Sequence, residues 1–212
     1  MVVLSDTHPH LLYCGHYRYH PMPNEIVLDI ETQNTFADVG GYFPDKLKIS
    51  LMGVYFYDTD TYETFLENDL LKLWPRLERA DRIIGFNQKS FDNPVINTYY
   101  AGNVNQIPQL DLLEVIAGSL GYRVKLDSVA QATIGMGKTG HGLQAVEFWR
   151  EGRIKELADY CLMDVKVTKD VYEFGRAHGY VKCADRGGQI MEIPVDFSVQ
   201  EVLMAINLTM PI

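Results

Sequence analysis

The chain has 212 residues, 47% of them hydrophobic and 22% charged, a balance ordinary for one large soluble domain with a core to bury. Its net charge of −9 opposes broad electrostatic binding to a polyanion, so a nucleic-acid substrate would need a local device such as divalent ions held by carboxylates. No apolar run approaches the roughly 20 residues that span a bilayer and Met1 to Leu12 lacks a secretion-signal pattern, so no membrane or secretion signal is visible; Cys14, Cys161 and Cys183, odd in number and widely spaced, argue against a disulfide framework and suit a reducing cytoplasm.

Residues 1–23, rich in His, Tyr and Pro, carry no clear period and read as an extension ahead of the core. Cys14, His16 and His20 could bind zinc there, although their spacing fits no standard finger. From Asn24 the runs NEIVLDI, KLKISLMGVYFYD and TYETFL predict three strands in a meander, with Asp58, Thr59 and Asp60 in a turn. Leu70, Leu71, Trp74 and Leu77 recur at helical spacing, with Pro75 as a kink. RIIGFN reads as a buried strand, and Asp92-Asn93-Pro94 as a helix start with Asp92 as its cap. A short strand in IPQLDL leads to a helix in DLLEVIAGSLG, and three more helices follow in LDSVAQATIG, LQAVEFWREG and IKELADYCLMDVKVTKDVYEFG. The run GGQIMEIPVDF is a strand or extended arm, which divides the chain into residues 1–23, a core domain 24–180 and a C-terminal arm 181–212.

The segment ATIGMGKT resembles a phosphate-binding loop, but such a loop needs a buried strand before it, and LDSVAQ ahead of it is an amphipathic helix. The stretch reads instead as a glycine-rich connection between helices that carries Lys138.

Four acids are placed oddly. Strand alternation puts Asp29 and Glu31 on one face of the first strand, where they repel each other unless solvated or bound to a cation. Leu157, Tyr160, Asp164, Val167, Val171 and Phe174 share one face of the last long helix, so Asp164 sits inside an apolar stripe. A buried carboxylate costs several kcal/mol unless paired or bound to metal. With Asp92 after another strand, the four acids on three elements can converge on two divalent ions.

D-I-E-T at 29–32, N-x-x-x-F-D from Asn87 to Asp92 and Y-x-x-x-D from Tyr160 to Asp164 resemble, in this order, the motifs of the DEDD superfamily of 3′-to-5′ exonucleases. The second motif has the form typical of family B DNA polymerase proofreading domains, and the third is the tyrosine version, since Asp159 stands where the histidine version has His. The resemblance covers about residues 24–180 and implies an α/β, ribonuclease H-like mixed sheet, three antiparallel strands then parallel ones, flanked by helices. It implies that Asp29 bridges two Mg²⁺ or Mn²⁺ ions, that Glu31 and Asp164 complete the tighter site, and that Asp92 holds the second directly or through water. Tyr160 would orient the attacking water. Thr32 and Gln33 fall where the terminal sugar passes, Asn87 positions substrate, and Phe91 either stacks a base or packs as core. Lys138 lies on the side where the strand enters. The implied partner is single-stranded nucleic acid, with DNA favoured, and a replication or repair protein is a further candidate. Some members of the superfamily have lost catalysis, so an inactive nucleic-acid-binding or partner-binding module is the alternative reading.

Overall fold

A computed structural model describes residues 24–137, 142–185 and 187–198. The expectations for the N-terminal extension and its zinc, for Lys138, and for the end of the C-terminal arm fall outside these residues.

Three strands form the antiparallel meander: β1 (Glu25–Thr32), β2 (Ile49–Phe56) and β3 (Thr61–Leu66). Two shorter strands, β4 (Arg82–Gly85) and β5 (Gln109–Asp111), add in parallel to β1, giving the order β3-β2-β1-β4-β5. This is the expected ribonuclease H-like mixed sheet. Its helices are α1 (Trp74–Leu77), α2 (Asp92–Ile96), α3 (Leu112–Leu120), α4 (Leu126–Ile134), α5 (Gly142–Arg150) and α6 (Ile154–His178). Among the described residues, no helix is long and apolar enough to cross a membrane.

The central strands are apolar nearly throughout because both faces are covered. Ile26, Leu28 and Ile30 join Met52 and Val54 in a core on one face. Val27, Tyr55 and Ile84 on the other face pack against Val165, Val171 and Tyr172 of α6. Alternation therefore sends Asp29 and Glu31 to the α6 face.

Three local readings are corrected. Leu71 is exposed and Leu73 is buried, because residues 67–72 form a 3₁₀ turn whose three-residue repeat rotates the apolar face; Pro75 then sits in the first turn of α1 instead of kinking a longer helix. Asp92 does not cap α2, since Phe91 holds the cap position and Asp92 accepts no capping hydrogen bond. The buried stripe of α6 runs through Leu157, Cys161, Asp164, Val165, Thr168, Val171 and Tyr172, whereas Tyr160 and Phe174 lie at its margin.

The helix α6 ends at Gly179, whose φ of 75° suits the left-handed cap that glycine favours. Strands β6 (Tyr180–Ala184) and β7 (Ile190–Pro194) follow as a hairpin, and Val181, Ile193, Val195 and Phe197 enter the core beneath α6. A buried ion pair joins the two ends of the described chain: Arg82 meets Glu25 at 2.5 Å, and its guanidinium also donates to the Phe197 and Ser198 carbonyls and the Tyr172 hydroxyl. Such a pair is stable only when its remaining donors are satisfied, and these four partners do that.

Candidate active site

The parallel strands β1, β4 and β5 end on one edge of the sheet, the edge where open α/β sheets place ligands. The end of β1 carries Asp29 and Glu31, and Asp164 reaches the same place from the middle of α6. All three line one cleft of about 540 Å³. Glu31 and Asp164 are buried, Asp29 half-buried.

Gly53 is what allows this convergence. It lies opposite Asp29 on β2, on the same face, and a Cβ there would stand 2.8 Å from the Cys161 sulfur and 3.2 Å from Val165 Cγ2. With hydrogen at this point, α6 settles against the sheet and brings Cys161 and Asp164 to the acids. The Cys161 thiol lies 3.6 Å from the Asp29 carbonyl oxygen and 3.8 Å from Asp29 Oδ2. Ligand atoms of Asp29, Glu31 and Cys161 all fall within 4.8 Å of one another. Burial pushes the thiol's pKa well above its usual value, and the charges of Asp29, Glu31 and Asp164 push it further.

Asp92 reaches the site through the backbone. The strand β4 stops at Gly85, so it does not extend along β1 as far as Ile30, and the Ile30 amide donates to Asp92 Oδ1 at 3.2 Å. Asp92 is only 3% exposed. Burial raises its carboxyl to about 7, against the opposing pull of hydrogen bonds from its own and the Ile30 amides, and the charge of Asp111 adds to the rise. A carboxylate so placed favours a cation beside it.

The loop leading to Asp92 is fixed from below by Asp111, which sequence reasoning did not single out. This buried carboxylate accepts hydrogen bonds from the amides of Asn87 (2.8 Å), Lys89 (3.1 Å), Leu113 (3.0 Å) and Glu114 (3.3 Å). It therefore caps α3 and clamps residues 87–89 with one side chain. Its signal was present in the sequence as an acid directly before a helix, L-D-L-L-E.

The remaining expected residues divide. Thr32 and Phe91 line the cleft, although the Thr32 hydroxyl donates to Asn34 O at 2.8 Å. Gln33 turns away, its amide bound to Ile49 O and Glu67 Oε2, each at 2.8 Å. Asn87 adopts a left-handed φ of 68°, and its side-chain oxygen accepts from Arg123. Tyr160 is half-buried, with its ring edge-on to Phe148 at 6.4 Å. The cleft also has an apolar wall the sequence reading missed, formed by Phe36, Leu47, Leu143 and Val146.

A family model described as RNase_H superfamily matches residues 26–174. No curated protein matches the chain. Among solved structures, the chain is similar to the family B DNA polymerase of the hyperthermophilic archaeon Pyrobaculum calidifontis, with 19% identity and a TM-score of 0.56. The match covers 73% of this chain and 25% of the polymerase chain. At that identity the likeness is one of fold.

Proposed function

Because the chain belongs to the RNase_H superfamily, we propose that its carboxylate cleft is the active site of a metal-dependent 3′-to-5′ exonuclease of the tyrosine DEDD type. The observation that carries this reading is the convergence of Asp29, Glu31 and Asp164, from two separate elements, on one cleft. Asp92 stands beside it, bonded to the intervening Ile30 amide.

The donor set fits hard divalent cations. Carboxylate oxygens are the ligands Mg²⁺ and Mn²⁺ prefer, and three of these four acids are buried where an uncompensated charge is costly. Asp29, Glu31, Asp164 and Asp92 would hold two such ions. When bound, the pair stabilises the attacking and leaving oxygens of an in-line displacement at phosphorus. Tyr160 would orient the attacking water; a phenol, with pKa near 10, is a poor base at neutral pH. The apolar wall of Phe36, Phe91, Leu143 and Val146 would seat the terminal nucleoside. The fold likeness to part of a DNA polymerase favours single-stranded DNA over RNA, and a replication or repair protein as partner.

Matched single strands labelled at the 3′ or the 5′ end are the test. With Mg²⁺ or Mn²⁺, the chain is expected to shorten strands from the 3′ end, and EDTA to stop it. Asp29→Ala and Asp164→Ala should each lower the rate by about 100- to 1,000-fold, the scale of losing one principal electrostatic contact to a transition state. Full activity in either variant, with its fold retained by circular dichroism, would refute the assignment.

A further inference from the structure

We propose that Cys161 turns the acidic end of β1 into a mixed sulfur–oxygen site that binds a borderline or soft divalent cation, Zn²⁺ or Cd²⁺, with the Cys161 thiolate, Asp29 and Glu31 as ligands. The cation is chosen by donor chemistry. Mg²⁺ takes oxygen alone, whereas Zn²⁺ and Cd²⁺ displace a thiol proton and keep the sulfur.

The geometry is close to what such an ion needs. Tetrahedral Zn²⁺ with ordinary Zn–S and Zn–O bonds separates its sulfur and oxygen ligands by about 3.5 Å. Cys161 Sγ lies 3.8 Å from Asp29 Oδ2, and one Glu31 oxygen falls within the same 4.8 Å group. The thiol is fully buried and sits within reach of both the carbonyl and the carboxylate oxygen of Asp29, so an ion would replace its proton beside a carboxylate already at hand. Two structural facts hold it there. Cys161 follows Tyr160 by one position, at the centre of the buried stripe of α6, and Gly53 leaves the space that its sulfur fills. Asp29 and Glu31 also line the cleft with Asp164, so water or Asp164 would be the source of a fourth ligand. Binding of this ion stands on the geometry alone; only its consequence, displacement of Mg²⁺ and loss of hydrolysis, rests on the nuclease reading.

Cadmium reports the bond directly, through its sulfur-to-metal charge-transfer band in the ultraviolet. The full chain carrying Cys14→Ser and Cys183→Ser, which leaves Cys161 as its one thiol, is titrated with Cd²⁺ under reducing conditions. The band should grow to saturation at a single ion per chain, and Zn²⁺ should reverse it. Adding Cys161→Ser should abolish the band while leaving Mg²⁺ affinity, read by calorimetry, within about 3-fold, since the serine removes only the sulfur donor. Asp29→Asn, which keeps the thiol, should weaken Cd²⁺ binding by about 10-fold or more, as loss of even an outer partner of a metal ligand does. Absence of the band, its survival in the Cys161→Ser protein, or Cd²⁺ affinity indifferent to Asp29→Asn would each overturn the proposal. Should Cys161→Ser fail to fold, the Asp29→Asn titration decides alone. None of these readings needs nuclease activity, so an inactive but cadmium-binding chain would count against the function and not against the site.

Discussion

The protonation of Asp92 gives a prediction with a worked magnitude. Burial, reinforced by the charge of Asp111, raises the carboxyl from 3.8 to about 7 in the folded chain. The folded state therefore holds a proton that the unfolded state has released across that window. The stability this proton provides is complete below about pH 4 and is lost as pH rises to about 7. A rise of about three units, at about 1.4 kcal/mol each, makes the loss on the order of 4 kcal/mol, a large share of the roughly 5–15 kcal/mol that holds a domain together. Asp92→Asn keeps the oxygen that accepts from the Ile30 amide and removes the charge, so it should remove this component of the pH dependence. Urea unfolding midpoints measured in EDTA at about pH 5 and about pH 8 should fall steeply for the parent chain and less for the variant. Saturating Mg²⁺ should flatten the parent curve, because a cation beside the carboxylate favours its ionised form. Identical pH dependence in parent and variant without metal would show that Asp92 is ionised at neutral pH and that its burial is compensated within the fold.

The glycine opposite Asp29 offers a second test. Gly53→Ala places a Cβ 2.8 Å from the Cys161 sulfur, so α6 must move off the sheet. The expected cost is about 1–3 kcal/mol in thermal unfolding, with weaker Mg²⁺ binding as Asp164 moves too, and Cys161→Ala in the same chain should restore both. Unchanged Mg²⁺ affinity in Gly53→Ala would show that the approach of α6 does not set the site. A third concerns the clamp beneath the Asn87–Asp92 loop. Asp111→Ala leaves four amides without their acceptor, at about 1–3 kcal/mol for each that stays buried, and should lower kcat more than it raises KM. Asp111→Asn, which retains the oxygen serving three of those amides, should recover most of kcat, and failure to do so would mean that the charge matters more than the positioning.

The sheet was legible because its strands are short β-rich or apolar runs bounded by turn residues, and the shared face of Asp29 and Glu31 followed from the two-residue period of a strand. Asp164 followed from a charge inside a 3.6-residue stripe. What the sequence hid were contacts that depend on how elements sit against each other. The stripe of α6 was drawn through Tyr160, and only packing against Gly53 shows that Cys161, one position on, is the buried residue. Asp92 looked like a cap because an acid before Asn-Pro usually is one. The short reach of β4, which leaves the Ile30 amide to Asp92, cannot be read from either segment separately. The strand β6 was missed although Gly179 precedes YVKCA and Asp185, Gly187 and Gly188 follow it, because a five-residue run with two charged or exposed positions gives little pattern until its pairing with β7 is seen.

These hidden features share a cause. Bringing four acids together is unfavourable in itself, so no local propensity selects it, and the fold must hold them with interactions that have nothing to do with their charge. A missing side chain at position 53 lets α6 approach, an early strand end provides an amide for Asp92, and a single buried carboxylate at Asp111 fixes the loop. Each device is apolar, backbone or second-layer, and each can be removed without touching a proposed metal ligand. The repulsion among the acids is then a property of the finished fold, which a bound cation would relieve. The same argument gives the thiol of Cys161 its interest: among the described residues it is the soft donor grouped with Asp29 and Glu31, so under the proposal above the choice of cation would turn on that sulfur.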